Sequence, residues 1–279
     1  MPNQDYGRGG TLDKYEYKIR AEEIKTLISQ KKYVEAAKVA DTIDWTRVKS
    51  VMMLCTVSDL YKVNRRFDDA KLLLEMANER HPAGRMIIYS LCDLSIKMGE
   101  VVQAIEYYKD FVQIAPNDSG RYVLQYKLYE AQDVGLEERI AVLEELKKRD
   151  YREKWAYELA SLYDQAGMQE DCVRECDELI LWFSEGEYVT KAMELKMKYE
   201  PLTPVQQDKY DHRYQTGASV NVGEDDYEER EVSVNTDKFS TINLQAELAA
   251  NLDEMLQKDE GDIDVPDLGL GATEELPIP

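Results

Sequence analysis

The chain has 279 residues, 43% of them hydrophobic and 33% charged, with a formal net charge of -21 at pH 7. The apolar share is enough to bury a core, which excludes wholesale disorder, and the acid excess excludes nucleic acid unless a local basic face overrides the total. The acid is unevenly placed: residues 216–279 hold 17 Asp+Glu against 3 Lys+Arg, the pattern of a solvated tail on a mixed-charge body.

Residues 1–14 are polar and contain Gly7-Arg8-Gly9-Gly10, which no strand precedes and which is therefore no phosphate loop. No apolar stretch there is long enough for a signal peptide, and no window of the chain approaches the ~20 apolar residues of a membrane span. A disordered N-terminal tail and a cytoplasmic protein with reduced thiols are expected.

From residue 15 to 200 the sequence repeats itself. Phe67, Ala70, Leu74, Ala77 and Pro82 are followed 34 residues later by Val101, Ala104, Tyr108, Phe111 and Pro116, and preceded by Tyr33, Ala36, Ala40 and Ile43. Two periods beyond Ala104 and Tyr108 come Cys172 and Cys176. The first halves of the units agree as well: Leu54, Val57, Ser58 and Tyr61 recur as Ile88, Leu91, Cys92 and Ser95, then as Ala156, Leu159, Ala160 and Tyr163. Each unit holds two runs of helical periodicity separated by polar or Gly-containing breaks such as Asn64-Arg65-Arg66 and Met98-Gly99-Glu100. Small residues in the first helix (Ser58, Cys92, Ala160) and the second (Ala36, Ala70, Ala104, Cys172) let the two approach closely. Pro82 and Pro116 stop the second helix. The unit at 119–152 departs from this pattern, with Glu138 at a small-residue position; a shift by one puts Ile140, Leu143 and Leu146 on its core face. The first unit has Val48 where the proline belongs.

A closing helix is expected near Glu187–Tyr199, with Val189, Ala192, Met193, Leu195 and Met197 as its apolar positions. Pro201 and Pro204 are expected to end helical order. Residues 201–237 read as an acidic linker. In 238–257, Phe239, Ile242, Leu244, Leu248, Leu252 and Met255 follow the spacing of an amphipathic helix capped by Ser240 or Thr241. Residues 258–279 read as a disordered acidic tail.

The 34-residue period with its small, aromatic, alanine and proline positions resembles the tetratricopeptide repeat (TPR) family, best at Tyr61, Ala70, Ala77, Pro82, Ala104, Tyr108, Pro116, Ala160 and Tyr163. The resemblance implies an all-α, right-handed superhelical solenoid of about five helix pairs with a capping helix. It also implies a groove lined by first helices, at Lys25, Cys55, Asp59, Tyr89, Asp93, Lys127, Tyr157 and Ser161. Asp59 and Asp93 stand where chaperone adaptors of the family hold a carboxylate with basic residues and asparagines, so that ligand is not carried over.

Signatures of an enzyme are missing: there is no GxSxG, no HExxH and no Ser-His-Asp set from His81 and His212. The four cysteines, Cys55, Cys92, Cys172 and Cys176, lack metal-ligand spacing and read as core residues, so no metal and no cofactor are expected. The implied function is an adaptor that binds an unidentified protein or peptide in the groove, without nucleic acid or membrane. Its alternative is a regulatory subunit whose 238–257 helix fills its own groove; the same segment offers self-association.

Overall fold

A computed structural model describes residues 14–82 and 84–212. Within them the chain folds into helix pairs stacked in sequence order. The pairs are α1 (Lys14–Ser29) with α2 (Tyr33–Ala40), α3 (Val51–Val63) with α4 (Phe67–Arg80), α5 (Arg85–Lys97) with α6 (Val101–Ile114), α7 (Gly120–Ala131) with α8 (Leu136–Arg149), and α9 (Glu153–Gln165) with α10 (Gln169–Phe183). Helix α11 (Glu187–Lys196) follows, then α12 (Pro204–His212). No strand occurs among the described residues. An amphipathic pair cannot bury its apolar stripe alone, and stacking on its neighbours supplies the missing cover, as in a solenoid.

The turn inside each of the first five pairs passes through one left-handed residue: Lys31 (φ 58°), Arg65 (φ 58°), Gly99 (φ 74°), Asp133 (φ 53°) and Gly167 (φ 74°). These positions lie 34 residues apart, so the period seen in side chains is also a period of backbone conformation. Only two of the five are glycines, for which this conformation is free of steric penalty.

Close packing within the pairs follows the small residues. Ala36, Ala70, Ala104 and Cys172 have no exposed surface, and neither do Ser58, Cys92 and Ala160 opposite them. Ser58 Oγ donates to the Ala70 carbonyl at 2.9 Å, and Cys92 Sγ to the Ala104 carbonyl at 3.3 Å, the same bond one repeat later. In the fourth pair both small positions are lost together, to Tyr126 and Glu138. Helix α8 accordingly starts one residue late against the 34-residue register, and Ile140, Leu143 and Leu146 are buried as the shifted pattern requires.

The core falls into two large clusters, one running from α1 to α5 and one from α7 to α11. A small third cluster of Ile88, Cys92, Phe111 and Leu124 lies between them. Val189, Ala192, Met193 and Leu195 of α11 are buried against the second cluster, whereas Met197 is exposed. The N–H groups of Tyr188 and Val189, in the first turn of α11, donate to Glu153 Oε1 at 3.2 and 3.3 Å, so a side chain of α9 caps the closing helix.

One expectation is corrected. Helical order does not end at Pro201 and Pro204, because α12 begins at Pro204. Proline fits the first helical position, where its missing N–H would have no partner in the helix. Thr203 and Gln206 close a capping box: Gln206 N donates to Thr203 Oγ1 at 3.3 Å, and Thr203 N donates to Gln206 Oε1 at 3.0 Å. The segment 238–257 lies outside the described residues.

Candidate binding groove

The eight positions assigned to the groove fall on the first helices α1, α3, α5, α7 and α9, and the structure treats them unequally. Lys25 pairs with Glu22 on its own helix at 2.9 Å. Cys55 is wholly buried in the N-terminal core and presents nothing to a partner. Asp59 is buried beside Lys62, its ion-pair partner one turn on. Half-buried Tyr89 lies edge-on to Phe111 at 5.6 Å, and burial pushes its phenol up to about 12. Tyr157 leans on Tyr188 of α11 at 5.8 Å, with Lys191 Nζ 5.8 Å from its ring. Ser161 accepts from Gln165 at 3.4 Å.

Asp93 and Lys127 come together. They belong to adjacent pairs, and Lys127 Nζ donates to Asp93 Oδ1 at 2.7 Å; Lys97 approaches the other carboxylate oxygen at 3.6 Å. Burial would raise the Asp93 carboxyl, but Lys127 and Lys97 outweigh it and hold it well below the ordinary carboxylate range. The pair sits in a cleft of about 360 Å³ that spans α5, α7 and α9.

The cleft owes its walls to the irregular fourth pair. Tyr126, filling the place of a small residue, is 2% exposed and meets Trp155 of α9 edge-on at 5.7 Å. Its hydroxyl donates to Glu158 Oε1 at 2.5 Å and accepts from Arg139 Nη2 at 2.9 Å. Burial and the Glu158 carboxylate both raise its phenol. Arg139 also lies over the Tyr126 ring at 5.2 Å and pairs with Glu130 at 3.1 Å. Lys154 completes the wall, with Nζ 5.1 Å from the Trp155 ring centre. Burial pulls its ammonium down to about 8; Lys127 adds to the shift and Glu158 opposes it.

Tyr126, Lys154, Trp155 and Glu158 were not among the groove positions expected from the repeat pattern. The sequence did carry one signal for them: a tyrosine at a position where three other units have Ser, Cys and Ala. Such a cleft offers flat apolar surface beside ammonium and carboxylate groups, which suits side chains of a polypeptide. Among the described residues, no cluster of His, Cys, Asp and Glu could hold a metal ion. No described helix is long and apolar enough to cross a membrane.

No protein-family model matches the chain, and no curated protein sequence matches it. Solved structures do. A tetratricopeptide repeat protein from Parabacteroides merdae aligns over 80% of this chain and 86% of its own, at 13% identity and a TM-score of 0.58. Yeast Tom70 aligns over 71% of this chain at 15% identity and a TM-score of 0.50, and the match spans 42% of that chain. A thermophilic TPR protein of Thermus thermophilus aligns over 65% of this chain and 96% of its own, at 18% identity and a TM-score of 0.47. The first of these establishes the fold as tetratricopeptide-type.

Proposed function

We propose that this tetratricopeptide-type chain is a cytoplasmic protein-interaction scaffold, and that the face built from its first helices holds a segment of a partner polypeptide. The observation that carries the reading is the cleft at Asp93, Lys127, Lys154 and Trp155. Three successive first helices contribute half-buried charges and an aromatic wall there. Helix-borne side chains of this kind are held in place before a ligand arrives, which reduces the entropy lost on binding.

The test is a selection from a random peptide library on the full-length chain, with affinities of the selected peptides then measured against Lys127→Ala and Trp155→Ala. Roughly ten-fold or greater weakening by both variants is expected, as for anchor positions. Selected peptides that bind both variants as tightly as wild type would overturn the assignment.

A second reading rests on the leucine spacing of 238–257: that segment fills the groove until a partner displaces it. Deleting 238–279 then strengthens binding of the selected peptides, and unchanged affinity removes this reading while leaving the first intact.

A further inference from the structure

Lys154 occupies a place that two regular repeats give to an apolar side chain. It is the second residue of α9, and two and three periods before it stand Met86 and Met52, the second residues of α5 and α3. Both methionines are half-buried and pack against the N-terminal core. Lys154 is half-buried too, so an ammonium is carried to a position of the apolar kind and gives up part of its hydration there. It lines the central cleft, with Nζ 5.1 Å from the Trp155 ring centre.

The charges of that cleft are unevenly matched. Lys97 and Lys127 share one carboxylate, Asp93, at 3.6 and 2.7 Å. The other two carboxylates of the lining have donors of their own: Glu130 pairs with Arg139 at 3.1 Å, and Glu158 accepts from the Tyr126 hydroxyl at 2.5 Å. Asp93 and Lys97 of α5, Lys127 of α7 and Glu158 of α9 all act on Lys154. Lost hydration is the largest influence, and Lys127 and Lys97 add to it against Glu158 and Asp93, which brings the ammonium from 10.5 to about 8. Near neutral pH the share of neutral amine is then on the order of a hundred-fold above that of an ordinary lysine.

We propose that Lys154 is a site of covalent modification by carbon dioxide, which its amine takes up as a carbamate. The ammonium first releases a proton to solvent. The nitrogen lone pair then attacks the carbon, an N–C bond forms, and one C=O electron pair moves onto oxygen. Loss of a second proton from nitrogen leaves a carbamate anion on Nζ, with nothing oxidised or reduced. Carbon dioxide is small and apolar, so it can enter a cleft of about 360 Å³ beside the Trp155 ring without a binding group of its own. The product puts an anion in place of a disfavoured cation, close to two lysines that have one carboxylate between them. Each event changes the charge of the cleft wall by two units. Where the cleft holds a partner, as proposed above, carbon dioxide would set its affinity; the modification itself does not depend on that reading.

The test equilibrates full-length protein with isotopically labelled bicarbonate at pH 8, alkylates carbamates with a trialkyloxonium salt, and locates the trapped groups by mass spectrometry. Trapped carbamate at Lys154 is expected to exceed that at exposed Lys18 and Lys109 by roughly ten-fold or more. Lys154→Arg, whose charge cannot be shed, should abolish the signal. Lys127→Met removes a cation near both amine and product, and should lower the signal by roughly three-fold or more. Thermal melts matching wild type establish that both variants fold. Wild-type protein with no trapped carbamate at Lys154, or with no more there than at Lys18 and Lys109, overturns the proposal. A signal undiminished in Lys127→Met overturns it equally, because the neighbouring lysines would then play no part. No peptide enters the measurement, so this proposal and the peptide-binding reading fail separately.

Discussion

Replacing Lys154 with methionine should stabilise the protein at neutral pH, and the gain should fade in alkali. The ammonium lies in the wall of the central cleft, where burial and Lys127 pull it from an ordinary 10.5 down to about 8. At about 1.4 kcal/mol per pH unit, and discounted for the solvent that still reaches this partly exposed ammonium, that drop corresponds to about 2 kcal/mol held against the folded state while both states are protonated. Methionine keeps most of the apolar stem but loses the attraction to the Trp155 ring, worth about 0.5–1 kcal/mol. A net gain of about 1 kcal/mol is therefore expected. The folded-state pKa lies below the unfolded one, so the penalty is complete below pH 8. Between 8 and 10.5 the folded protein releases a proton that the unfolded chain retains, and the wild type gains stability relative to the variant. Urea titrations of both proteins at pH 7 and pH 10 measure the gap. A variant less stable than wild type at pH 7, or a gap that does not narrow by pH 10, would refute the reasoning. Confirmation would mean that a strained lysine is kept in the cleft at a loss of stability, a common mark of a site under functional demand.

Gly99→Ala and Gly167→Ala should each destabilise by about 1 kcal/mol. A Cβ at either position meets nothing within 4 Å, so the change isolates the left-handed backbone penalty less the entropy removed from the unfolded chain. Arg65→Gly, at the equivalent turn, should move the denaturation midpoint in the opposite direction. Thr203→Ala removes the α12 cap, worth about 1 kcal/mol, and amide exchange at Gln206 should quicken about five-fold while the core of α9 and α10 is unchanged. Phe111→Ala should cost about 3–5 kcal/mol and turn a single thermal transition into two, as the small cluster joining the two large ones is lost.

The helix pairs were legible because close packing admits only small residues at Ala36, Ala70, Ala104 and Cys172, and that restriction is written directly in the sequence. Helix α12 was missed because Pro204 was read as a stop; its position after Thr203, with Gln206 three residues beyond the threonine, marks a start. The groove was harder. A position along a helix does not say how near the neighbouring pair stands, so the repeat pattern put Cys55 and Asp59 in the groove although the adjacent helices bury them, Cys55 as its residue type alone implied. Lys154 and Trp155 escaped notice for the converse reason: their cleft is lined by residues of three helices, among them Tyr126, and no single-helix pattern contains it.

The division of the core gives the central cleft a mechanical meaning. The core of the described residues is two large clusters joined through Ile88, Cys92, Phe111 and Leu124. Asp93 and Lys97 belong to the pair on one side of this joint, Lys154 and Trp155 to the pair on the other. A segment held in the cleft would touch the pairs on both sides and brace the joint between them. The work of binding would then be felt at both ends of the molecule, far from the residues that do the gripping.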